Sequence, residues 1–174
     1  VFLKANLLTF AGKAILFLAI ASLLWPLVAT SYDQLLVVTS SKIISDQVAL
    51  EGRDNYIYFY PQNGSKEPVA GIESFAFHFG LIVTMVLIAA TPALRLSERG
   101  KFLLLALIFM FLIHIAGLFF VARSIQSALV HATTIANVGY TIRLFLLSSS
   151  LVPPLLWSTL SIRRWLSTRP RALR

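Results

Sequence analysis

The sequence predicts an all-α integral membrane protein: a four-transmembrane-helix bundle with a small external β-hairpin or cap. Three observations carry this prediction. The 174 residues are 57% hydrophobic and 13% charged, against roughly 45–50% and about 25% in soluble domains. Four apolar runs, at about 10–31, 75–94, 102–121 and 144–162, can each cross a hydrocarbon layer about 30 Å thick at about 1.5 Å per residue. The cations also segregate. With four alternating spans, Lys4, Lys13, Arg95, Arg99, Lys101, Arg163, Arg164, Arg169, Arg171 and Arg174 share one side, leaving Lys42, Arg53, Lys66, Arg123 and Arg143 on the other. By the positive-inside rule both termini are cytoplasmic. The net charge of +8 is thereby explained as topology, and no nucleic-acid partner is expected. The chain has no cysteine, which excludes disulfides, thiolate metal sites and a thiol nucleophile. One membrane domain, 1–174, accounts for the whole chain.

The first run carries Lys13 near its start, placed to snorkel to one interface, and Trp25-Pro26 near its end, close to the other. It resembles a signal anchor; Ala29 offers a cleavage position, but the apolar run is long for a cleaved signal. The external segment 33–72 follows. Leu35-Leu36-Val37-Val38 and Ile43-Ile44 either continue the first helix or lie on the membrane interface. Beyond them the period shortens. Gln47–Leu50 and Tyr56–Tyr60 read as two short strands joined by a turn at Gly52 and Asp54-Asn55 and closed by Pro61 and Asn63-Gly64. Tyr56, Tyr58 and Tyr60 share one strand face, which suits either interfacial anchoring or docking of a partner.

Within the spans, small and hydroxylated residues mark expected helix contacts: Gly80 and Thr84, Ala106 and Gly117, and Ser148-Ser149-Ser150. Pro153-Pro154 predicts a kink in the fourth helix, with nearby hydroxyls serving freed carbonyls. The hydropathy reading places no carboxylate inside the membrane, which argues against a proton-coupled pump. His78 and His114 fall within spans. As a paired haem or pigment site they match poorly, because His78 is expected nearer the outer surface; bonds to a carbonyl or serine are the simpler account. No metal site is expected, and no cofactor. On the external side Glu73-Ser74, Arg123, His131 and Arg143 form the suggestive set for acyl transfer, which needs a nucleophile, a base and a cation; contacts with lipid phosphates and carbonyls are the competing account. The basic tail 163–174, with Arg163, Arg164, Arg169, Arg171 and Arg174, is placed to grip anionic headgroups.

The run from Phe75 to Arg123, with Ala89-Ala90-Thr91-Pro92 closing one span, Arg95, Arg99 and Lys101 in the turn and Leu112-Ile113-His114 in the next, resembles the exosortase and archaeosortase superfamily. It resembles more closely the exosortase H-associated membrane proteins. The resemblance covers about a third of the chain. It implies a bacterial cytoplasmic membrane and a partnership with a sorting enzyme. Exosortases are transpeptidases using Cys, Arg and His; Arg123 and His131 resemble the last two, while Ser74 stands near the place of the missing cysteine. The expectation is therefore a non-catalytic accessory or scaffold subunit that binds another integral membrane protein and anionic lipids. Two alternatives stand beside it: a peripheral subunit of a photosynthetic or respiratory complex, with His78 and His114 as pigment or haem ligands, and a serine-variant transpeptidase.

Overall fold

A computed structural model describes residues 2–44, 48–62, 65–92, 94–131 and 135–167. Its elements in order are α1 (Phe2–Ser41), β1 (Val48–Arg53), β2 (Tyr56–Pro61), β3 (Ala70–Glu73), α2 (Ser74–Ala90), α3 (Leu96–His131) and α4 (Ile135–Ser167). Among the described residues three helices contain stretches long and apolar enough to cross a membrane, Leu8–Ser41, Leu96–Val130 and Asn137–Thr159. The helix α2, with 17 residues, is about 25 Å long at about 1.5 Å per residue. The predicted helical membrane-type fold is thus present; α1, α3 and α4 are longer than their apolar runs, whereas α2 ends at Ala90, short of the predicted 75–94 span.

Burial shows how the helices are arranged. On α1 the buried positions fall on one stripe, Trp25, Tyr32, Asp33, Leu36 and Ser40, and on α3 on another, Ala106, Met110, His114, Leu118, Val121 and Ile125. Both follow the three-to-four spacing of a helix face. The short helix α2 is buried on most of its circumference because α1, α3 and α4 all pack against it. Elsewhere α1 is strongly exposed, as with Leu27 at 78%, which suits a surface solvated by lipid rather than water.

The predicted close contacts at Gly80, Gly117, Ala106, Thr84 and Ser149 fall inside the bundle, whereas Ser148 and Ser150 are exposed and do not serve the carbonyls freed by the prolines. A Cβ on Gly80 would collide with the Ser149 carbonyl of α4. Pro153 has no N–H to bond that carbonyl, so the freed oxygen points at the α-hydrogens of Gly80, a weak C–H···O contact. A Cβ on Gly117 would strike the Phe145 ring. Ala106 and Thr84 are fully buried. Ser148 and Ser150 donate back to the Leu144 and Leu146 carbonyls at 2.8 and 2.9 Å. The helix α4 runs on through Pro153 and Pro154.

At the lower end of the bundle Thr91 closes α2. Its hydroxyl donates to the Leu87 carbonyl (2.7 Å) and accepts from the Trp157 indole (2.9 Å), while Arg99 donates to its carbonyl (3.1 Å). Glu98 accepts from the Arg95 N–H at 3.1 Å, one half of a capping box at the start of α3.

At the other end sits an antiparallel sheet in the order β1-β2-β3. The predicted hairpin is there, with Arg53 opposite Tyr56 and positive φ at Asp54 (55°) and Asn55 (64°), the two-residue turn that matches strand twist. A third strand adds to it, pairing Tyr56 with Glu73 and Phe59 with Ala70. Gln47 and Asn63-Gly64 lie outside the described residues. Of the two readings of Leu35–Ile44, the structure adopts the helical one as far as Ser41, because the buried stripe continues through Leu36 and Ser40. Pro26 therefore lies inside α1 and does not mark its end.

Candidate functional site

The four helices meet in a cluster of polar and aromatic side chains just beneath the sheet. From α1 come Trp25, Tyr32 and Asp33, from α2 Phe77 and His78, from α3 His114, and from α4 Phe145. The sheet covers this junction: Val48, Ile57, Phe59 and Ile72 are buried beneath it, and Gly52 of β1 lies over Val37 and Asp33. The backbone N–H of Ser74 donates to the Asn55 carbonyl at 2.8 Å, which ties the start of α2 to the hairpin turn.

Two pairings organise the cluster. The Trp25 indole N–H donates to His78 Nδ1 at 3.2 Å. An indole only donates, so Nδ1 carries the lone pair and the neutral ring holds its proton on Nε2. That atom lies 3.0 Å from Asp33 Oδ1, close but without the alignment of a hydrogen bond. In the second pairing the Tyr32 hydroxyl and His114 Nδ1 are hydrogen-bonded at 2.7 Å. Edge-to-face ring contacts fill the remaining space: Trp25 and Tyr32 on His78 (centroids 5.2 and 5.0 Å), and Phe77 on both His78 and His114 (4.5 and 5.0 Å).

Several expectations are corrected here. The His78 and His114 rings were expected at different depths, yet their centroids are 6.4 Å apart, because the offset between them is small enough for the side chains to span. His78 meets Trp25 and Asp33 rather than a carbonyl or serine, whereas His114 meets the Tyr32 hydroxyl and, as expected, the backbone of Phe77. Trp25 is not an interfacial anchor; it is 7% exposed with its indole turned inward. Asp33 is not in an external loop. It is 7% exposed on a continuous helix, so the bundle does enclose a carboxylate.

Among the described residues no hydrogen bond joins the acyl-transfer candidates Ser74 and Arg123, and the side chain of His131 lies outside the described residues. Ser74 is buried, and its hydroxyl has no hydrogen-bond partner among the described residues. His78, one turn along the same helix, already faces Trp25 with one nitrogen and Asp33 with the other. Arg123 is exposed and donates to Gln126 on its own helix at 2.9 Å. His131 is the last residue of α3, and Arg143 is exposed on α4. For pigment or haem ligation, both Nδ1 atoms are engaged; His114 Nε2 lacks a partner but is fully buried. Groups of three or more residues able to hold a metal do not occur among the described residues.

The strand alternation predicted for the tyrosines is present. Ile57 and Phe59 face the bundle, which turns Tyr56, Tyr58 and Tyr60 to the opposite face. There they form a ladder, with Tyr56–Tyr58 stacked at 5.7 Å and Tyr58–Tyr60 tilted at 6.3 Å. The Arg53 guanidinium lies 5.7 Å from the Tyr58 ring centre. That ring covers Gly71, where a Cβ would approach it to 3.1 Å. In the basic tail, Arg163 and Arg164 lie on the last turns of α4, and Arg169, Arg171 and Arg174 are outside the described residues.

Comparison of the chain with protein-family models, with curated proteins and with solved structures finds no match in any of the three.

Proposed function

We propose that this is a non-catalytic accessory or scaffold subunit, spanning the bacterial cytoplasmic membrane four times with both termini inside and docking on another integral membrane protein. The observation that carries the proposal is the tyrosine ladder. Three amphipathic rings sit on one strand, already in contact with one another, on the face turned away from the bundle. Aromatic side chains held in place lose little freedom on binding and supply much of the energy of interfaces. The basic residues from Arg163 onward then hold the inner end at anionic headgroups. The resemblance of 75–123 to exosortase-associated membrane proteins supports a sorting enzyme as the partner.

The test is a photo-crosslinking residue at Tyr58, activated in intact membranes, together with extraction in mild detergent and mass spectrometry. The expected result is one stoichiometric membrane partner, crosslinked at Tyr58 and lost from a Tyr56→Ala/Tyr58→Ala/Tyr60→Ala variant whose melting temperature stays near that of the parent. A partner that survives the triple substitution overturns the reading. The enzymatic alternative makes its own demand, that Ser74→Ala abolishes cleavage of a membrane-anchored substrate. Among the described residues the Ser74 hydroxyl has no hydrogen-bond partner, so the geometry lends that alternative no support.

A further inference from the structure

Between α1, α2 and α3 runs an apolar groove of about 650 Å³. Its walls include Phe17, Ala21 and Leu24 on α1, Met85 on α2, and Leu103 and Leu107 on α3, and one end reaches the rings of Trp25 and Tyr32. It exists because α1 and α3 both pack on α2 while meeting each other less closely. Its rim residues, Ile20, Leu24, Val28 and Leu107 among them, are exposed hydrophobics, so it opens sideways into the bilayer.

We infer that this groove binds one acyl chain of an anionic glycerophospholipid from the cytoplasmic leaflet. Size selects the chain. At roughly 30 Å³ for a group the size of a water molecule, the volume holds about 20 methylene-sized groups. A transmembrane helix about 10–12 Å across displaces several times more over the same length. Charge selects the headgroup. Lys13 lies one turn below Phe17 on the same face of α1, and Arg99 one turn below Leu103 on α3. The Arg99 guanidinium is held in place by the Thr91 carbonyl, and its Nε–H is buried with no partner. In the inferred complex the phosphate lies beyond the Phe17–Leu103 end of the groove, where it is reached by Lys13 and takes charge-assisted bonds from Arg99. The inference goes beyond the docking reading and rests on the proposed placement of the helices in a bilayer with both termini inside.

The experiment uses the full chain purified in mild detergent and titrated with phosphatidylglycerol or phosphatidylcholine, each carrying bromine along its acyl chains. Bromine reaching the groove quenches Trp25, and a Trp25→Phe variant gives the background from Trp157 and Trp165. The expected result is saturable quenching at one lipid per chain, tighter for phosphatidylglycerol. Lys13→Gln, an exposed substitution that leaves the packing intact, is expected to reduce that preference about fivefold. Ala21→Phe, which fills the groove, is expected to abolish the Trp25 component. Equal quenching by the two lipids, or a Lys13→Gln variant that keeps the full preference, overturns the anionic headgroup. Quenching unchanged by Ala21→Phe overturns the groove. Each result is independent of the crosslink at Tyr58, so failure of the docking reading would leave it standing.

Discussion

At the scale of single residues, the glycines separate structural pressure from tolerance. Gly80 faces backbone, the Ser149 carbonyl, whereas Gly117 faces a side chain, the Phe145 ring. Backbone cannot turn aside. Gly80→Ala is therefore expected to lower stability by about 1–3 kcal/mol, the usual range for overpacking. Gly117→Ala should cost less, because the ring can rotate, and Gly139→Ala, with open space around its Cβ position, should cost least. Denaturant titration in detergent ranks the three, and equal effects at positions 80 and 139 would contradict the packing described. The histidine cluster permits a second measurement. A double-mutant cycle on Tyr32→Phe and His114→Leu is expected to give a coupling of about 0.6 kcal/mol, the average for hydrogen bonds between membrane helices.

At the scale of elements, what could be read from the sequence depended on how local the signal was. The hairpin was legible because alternation at Tyr56–Tyr60 and the left-handed preference of Asp54-Asn55 are short-range features. The strand β3 was not, because Ala70-Gly71-Ile72-Glu73 has neither alternation of bulk nor β-branched runs; it is held by its backbone ladder with β2, far from any local signal in the sequence. The turn can be tested. Asn55→Val forces a β-branched residue into positive φ and is expected to cost about 1–2 kcal/mol, while Asn55→Gly is expected to be neutral or stabilising. The sequence leaves the end of α1 open between two readings for a related reason. Asp33 interrupts the apolar run, so a window of hydropathy stops there, although the buried stripe passes through it. A charge inside a helix is judged by what it meets, and its partner His78 lies 45 residues further along the chain.

At the scale of the whole molecule, the difference in helix length organises the architecture. The helices α1, α3 and α4 have 40, 36 and 33 residues against 17 in α2, and the sheet occupies the space above the short one. The topology can be checked directly, since the chain has no native cysteine. Ser65→Cys is expected to react with a membrane-impermeant maleimide in intact cells, and Ser97→Cys only after lysis; the reverse pattern would invert the orientation. The joint between sheet and bundle has a further meaning. Because β3 ends at Glu73 and α2 begins at Ser74, the strand works as a key that sets the angular phase of the helix. One residue inserted at that joint would turn α2 by about 100°. His78 would then be carried off Asp33 and Gly80 off Ser149 in a single rotation, with every side chain still present and none of them engaged.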